Sequence, residues 1–154
     1  MAATVKKSLI TAITAAGTLV VLPSALGQET ELIVISGDNQ TTFAVETVAT
    51  PEDIERGLMG RDELALNTGM LFDFGDVRPA EMWMKDTPLL LDMLFIDADG
   101  RILAIAKNAA PGSERRIGPG LPVRAVLEVS GGTADELSIS PGDIISHTIF
   151  GTSN

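Results

Sequence analysis

Cysteine is absent from this chain, and histidine and tryptophan occur once each. Without cysteine there is no thiol nucleophile, no thiolate zinc site and no iron–sulfur cluster, and a lipoprotein lipidated on cysteine is not expected. There are no disulfides either, so stability must come from packing. A single histidine excludes a multi-histidine metal centre and an HExxH motif. The sequence also lacks GxSxG, a phosphate-binding loop and GxGxxG. A Ser–His–Asp triad would have to recruit His147. That residue lies in the alternating segment Asp143–Phe150, read as a terminal strand, with no nucleophile turn nearby. A hydrogen-bonded structural histidine is the better reading. Basic residues are scarce: 11 against 21 acidic, a net charge of −10. Such a surface repels nucleic acid and anionic membrane and favours cations, basic partners or plain solubility.

What is present begins with a processing signal. Lys6 and Lys7 precede the mostly apolar, uncharged run Ser8–Leu22, and Ala25-Leu26-Gly27 offers small residues to a signal peptidase. The run is short for a membrane span. Residues 1–27 are therefore read as a secretory signal peptide and residues 28–154 as one β-rich domain, exported to the periplasm or the extracellular space. No stable membrane insertion is expected after cleavage. Without Lys6 and Lys7 the mature chain carries 9 basic and 21 acidic residues, a net charge of −12.

Periodicity and turn residues lay out the domain. Glu31–Ile35 and Thr41–Val48 form a hairpin about Ser36–Gln40. Thr50 caps a short helix, with Pro51 at its first position and Glu52 and Asp53 facing its positive end; Gly60 is taken as its stop. Strands are predicted over Gly69–Phe74, Glu81–Lys85, Leu89–Ile96, Arg101–Ala106 and Arg124–Val129. Asp97-Ala98-Asp99-Gly100 is a hairpin turn, and Ala109–Pro122 a mobile loop. Thr133-Ala134-Asp135-Glu136 resembles a capping box for one helical turn. The fold class is mainly β: a single compact antiparallel β-barrel-like domain, of about eight short strands, with one short helix packed on it.

Chemistry concentrates between Glu81 and Asp97. Asp92 interrupts an apolar run, so it should find a partner, and Arg61, Arg56 or Lys85 are the candidates. A polar cluster of Glu55, Arg61, Lys85, Asp86, Thr87 and Asp92 could hold paired carboxylates. Asp92 with Glu55 or Asp86 would then serve acid/base hydrolysis. The alternative for the cluster is a buried ion pair that fixes register. The methionines Met59, Met70, Met82, Met84 and Met93, with Trp83 and His147, form a candidate soft-metal set, since thioethers select Cu(I); in a strand Met82 and Met84 share the face opposite Trp83, and core filling is the commoner use of methionine. Trp83, beside Arg115 and Arg116, could bind a sugar, a peptide or another anionic ligand.

Several blocks occur together: Glu55-Arg56-Gly57-Leu58-Met59 with Arg61, Gly69-Met70-Leu71-Phe72, Trp83-Met84-Lys85, Leu91–Asp97 with Gly100, and Val126-Leu127-Glu128. With these the chain resembles the domain-of-unknown-function 192 family from about Thr42 to Phe150. The resemblance implies a compact β-rich domain, often exported, and no particular reaction. Where the family usually reads Trp-Met-Lys-Asn-Thr, this chain has Asp86. Where the family usually has proline before Leu-Asp, it has Leu90.

The expected function is an exported binding or accessory module with its site around Trp83–Asp92. Trp83, Lys85, Asp86, Thr87, Asp92 and Arg61 are the binding residues. The partner would be a small molecule or an envelope protein, not nucleic acid, and no cofactor is expected. An acid/base hydrolase and a Cu(I)- or Ag(I)-binding protein using Met82 and Met84 are the alternatives.

Overall fold

The structure is a computed structural model and describes residues 29–152. The expected signal peptide, 1–27, lies outside the described residues. Seven strands form one curled sheet: β1 (Glu29–Ser36), β2 (Asn39–Val48), β3 (Thr68–Pro79), β4 (Leu91–Ile96), β5 (Ile102–Ala109), β6 (Pro122–Ser130) and β7 (Ile144–Ser146). Their order is β5-β4-β6-β3-β2-β1-β7. All neighbours are antiparallel except β2 and β3, which run parallel. A parallel pair needs a crossover, and the segment holding helix α1 (Pro51–Arg56) supplies it. The sheet is thus a mainly β half-barrel. Its edges approach each other where Arg101 bridges Ile144 and the Ile145 N–H donates to the Gly100 carbonyl at 2.7 Å.

Both faces of the sheet are covered. The inner face holds Leu32, Phe43, Val45, Leu71, Leu94 and Leu127. The outer face holds Leu58, Met70, Phe72, Met84, Met93 and Val126. Every residue of β4 is buried. That explains why its run, apolar except for Asp92, shows no alternation, since a strand covered on both sides need not alternate.

The helix α1 forms as its sequence demands. Thr50 Oγ1 accepts from Asp53 N–H at 3.2 Å, and Pro51 opens the helix. It stops at Gly57, not at Gly60 as expected. Gly57 has φ +45°, and a Cβ there would lie 3.0 Å from the Phe72 ring. Positive φ and close approach both require glycine. The turn Asp97–Gly100 forms as expected. Asp97 Oδ1 accepts from the N–H groups of Asp99 and Arg101, each at 2.9 Å.

Three expectations need correction. The segment Glu81–Lys85 is not a strand of the sheet. Only Met82 bridges, to Ile117, and the segment lies across the outer face as a strap between Pro79 and Pro88. The loop 110–121 is tied to this strap: Met84 N–H donates to Ser113, Gly112 N–H to Thr87, and Met82 and Ile117 exchange two bonds. Thr133 does not cap helix α2 (Thr133–Glu136). Gly132 holds the cap position and offers no side chain; the donor at that helix end is satisfied from β4, as described next.

Candidate functional site

Asp92 is fully buried on the inner face. One carboxylate oxygen accepts from the Asn108 N–H at 2.8 Å, the other from the Ala134 N–H at 2.8 Å. The expected partners Arg61, Arg56 and Lys85 are all elsewhere. Arg61 pairs with Glu46 at 2.5 Å and Arg56 with Asp53 at 3.1 Å. Lys85 Nζ lies 5.2 Å from the Trp83 ring centre. Asp92 thus caps α2 across the fold and satisfies the amide of Asn108, which has φ +52°. Both oxygens are committed to backbone donors, which suits a structural anion better than a general acid or base.

The residues that do gather lie on the opposite face, under the strap. A groove of about 390 Å³ is lined by Glu55 from α1, Phe74 and Arg78 from β3, Glu81 and Trp83 from the strap and Arg116 from the tied loop, two acids beside two arginines. A register shift between Asp73 and Arg78 bulges β3 before it pairs with β6 again at Arg78 and Pro79. Arg116 Cζ sits 4.3 Å from the Trp83 ring centre, and Arg78 Cζ 4.6 Å from that of Phe74. Two guanidinium groups are therefore stacked on aromatic faces in one groove. Trp83 is half-buried, so the ring both packs and lines the opening.

Beside the groove a narrower pit descends between α1 and the strap, with about 20 Å³ of free volume. Ile54, Glu55, Met82 and Trp83 belong to both. At its base is Glu128 of β6, only 3% exposed. Glu128 pairs in register with Met70 of β3 on one side and Met93 of β4 on the other. It forms no side-chain hydrogen bond or ion pair among the described residues. Burial alone pushes its carboxyl up to about 8.

The other expected residues divide. Thr87 is buried, lines the pit and donates its hydroxyl to the Lys85 carbonyl at 3.1 Å. Asp86 is exposed at φ +52° on a separate, shallow surface depression, next to Pro88 and Glu114. This left-handed position admits asparagine or aspartate, so Asp86 keeps the turn that the family's usual asparagine would make. Met84 is fully buried in the outer core, and Met82 is 8% exposed. His147 Nε2 lies 2.8 Å from Thr30 Oγ1, and its Nδ1 accepts from the Ile149 N–H at 3.4 Å. That cap ends the last strand early and starts a short 3₁₀ turn, Thr148–Phe150. Burial holds the imidazole below its ordinary value, partly offset by Asp73.

Sequence reasoning missed Glu128, Arg78 and Phe74. For Glu128 the signal was available: an acid within the apolar strand Arg124–Val129, the same kind of interruption that singled out Asp92. Arg78 and Phe74 carried no comparable signal, because the register shift that turns them into the groove is not visible in the chain.

The family model of the domain-of-unknown-function 192 family, described as "Uncharacterized ACR", matches residues 33–147. A crystal structure from Sinorhizobium meliloti 1021, described as a candidate transcription regulator, superposes with a TM-score of 0.80 at 42% identity, covering 82% of this chain and 98% of that one. A crystal structure of a protein of unknown function from Novosphingobium aromaticivorans DSM 12444 gives a TM-score of 0.78 at 35% identity, covering 82% and 91%. Among curated proteins no match is found.

Proposed function

Since the chain belongs to the domain-of-unknown-function 192 family, we propose that it is a binding module whose groove takes a small ligand bearing a carboxylate or phosphate beside an apolar or planar part. One observation carries this: Arg116 on Trp83 and Arg78 on Phe74, both facing one groove, in a chain of net charge −10. Stacking fixes each guanidinium plane while leaving its N–H edge to meet an anion bidentately. Ile54 and Met82 supply the apolar wall. The overall negative charge works against nucleic acid as the anion. The first 27 residues support an exported, periplasmic or extracellular, location for this module. Acid/base hydrolysis through Asp92 has weak support, because both of its oxygens are held by backbone amides.

The sole tryptophan makes the test direct. Trp83 emission is followed while free-carboxylate peptides, uronic acids and sugar phosphates are titrated in. A saturable change is expected for at least one class, weakened about tenfold or more in Arg116→Ala, in keeping with a charge-assisted contact. No saturable change with any class, or unchanged affinity in both Arg116→Ala and Arg78→Ala, would refute the groove as the site.

A further inference from the structure

The pit over Glu128 holds a combination that the groove does not explain. Beyond Met1 the chain has five methionines, Met59, Met70, Met82, Met84 and Met93. Four of them are buried on the outer face that Glu128 shares, and the fifth, Met59, lines the pit with Met82. Glu128 stands between Met70 and Met93 in the sheet register. A carboxylate buried to this degree normally has a hydrogen-bonded partner, as Asp92 does; Glu128 has none among the described residues. Its oxygens are nonetheless not sealed in, for no side-chain oxygen or nitrogen among the described residues is both fully enclosed and unbonded. They open on a space of about 20 Å³, enough for one water-sized occupant and too small for an organic ligand.

We propose that this pit is a site for one soft monovalent cation, Cu(I), held by the Glu128 carboxylate and the thioethers of Met59 and Met82. Thioethers are soft donors that favour Cu(I) over hard or borderline divalent ions. On binding, the Glu128 carboxyl gives up its proton, and the carboxylate so formed neutralises the single positive charge. Among the described residues no group of three or more His, Cys, Asp or Glu is placed to hold a metal; the pit's soft donors are the two methionines that line it. Met84, expected as a ligand with Met82, does not line the pit.

The pit shares Met82 and Trp83 with the groove, but its occupation needs no anionic ligand and is tested without one. Ag(I), a redox-stable substitute for Cu(I), is titrated as the nitrate in chloride-free buffer while Trp83 emission is read. Cu(I) is then measured by competition with a chromophoric chelator. The expected result is saturation at one ion per chain, with no response to Ca(II). Affinity should fall at least tenfold in the Met59→Leu, Met82→Leu double variant and in Glu128→Gln, and stay at the wild-type value in Met84→Leu. Leucine nearly conserves methionine volume and glutamine the shape of a neutral glutamic acid; circular dichroism and urea midpoints verify folding. No saturable silver response from the folded protein overturns the proposal. So does wild-type affinity in both the double variant and Glu128→Gln.

Discussion

Asp92 and Glu128 lie on adjacent strands, one residue out of register, where Asp92 pairs with Val129 and Met93 with Glu128. Both are buried carboxyls. Asp92 faces the inner core and receives two backbone N–H groups. Glu128 faces the outer core and receives none among the described residues. A charge shielded from water is tolerated when donors surround it and is pushed toward neutrality when they do not. One carboxylate therefore ties the fold together, and the other is left with unused binding capacity. In two neighbouring strands the sheet separates a stabilising acid from a candidate functional one.

The largest effect should come from removing the satisfied member. Asp92→Ala leaves the buried Ala134 amide and the part-buried Asn108 amide without an acceptor, at a cost of about 3 to 5 kcal/mol. Urea denaturation measures it, and a loss below about 1 kcal/mol would break the contrast. The unsatisfied member should behave in the opposite sense. Its carboxyl ionises near 4.5 in the unfolded chain and near 8 in the fold. Between those values unfolding releases a proton, so this group's contribution is fully retained below the lower value and declines until the upper one is passed. Relative to Glu128→Gln, the wild-type protein should lose about 2 to 3 kcal/mol between pH 5 and pH 7. Parallel stability curves for the two proteins would show that Glu128 is already ionised. The smallest effect concerns the two helices. Helix α1 carries its own cap, so Thr50→Ala should cost about 1 kcal/mol, read as a small shift of the urea midpoint. A cost as large as that of Asp92→Ala would erase the difference between a local and a borrowed cap.

That difference also separates what was legible from what was not. Thr50 and Pro51 act within one turn of chain, so their role follows from sequence. The cap of α2 comes from a strand some forty residues away, and Thr133 was chosen for it because only local signals were in view. The interruption at Asp92 correctly marked a residue that needs a partner. It could not show that the partner would be backbone N–H groups rather than Arg61 or Lys85. The same alternation identified Met82 and Met84 as sharing one face of an extended segment. It mistook a strap held by one bridge for a strand, because extended backbone reads the same whether or not a neighbour completes its ladder.

By itself the sequence determined the mainly β class, the helix start at Thr50, the Asp97–Gly100 turn and the family. Each depends on residues close together in the chain, or on motifs that stay recognisable without coordinates. Tertiary structure alone decided the parallel pairing of β2 and β3, the cap that Asp92 gives α2, the stacked arginines of the groove and the methionine-lined pit over Glu128. All of these depend on which strands lie side by side and which face each covers, and strand order is a property of the closed sheet rather than of any one segment.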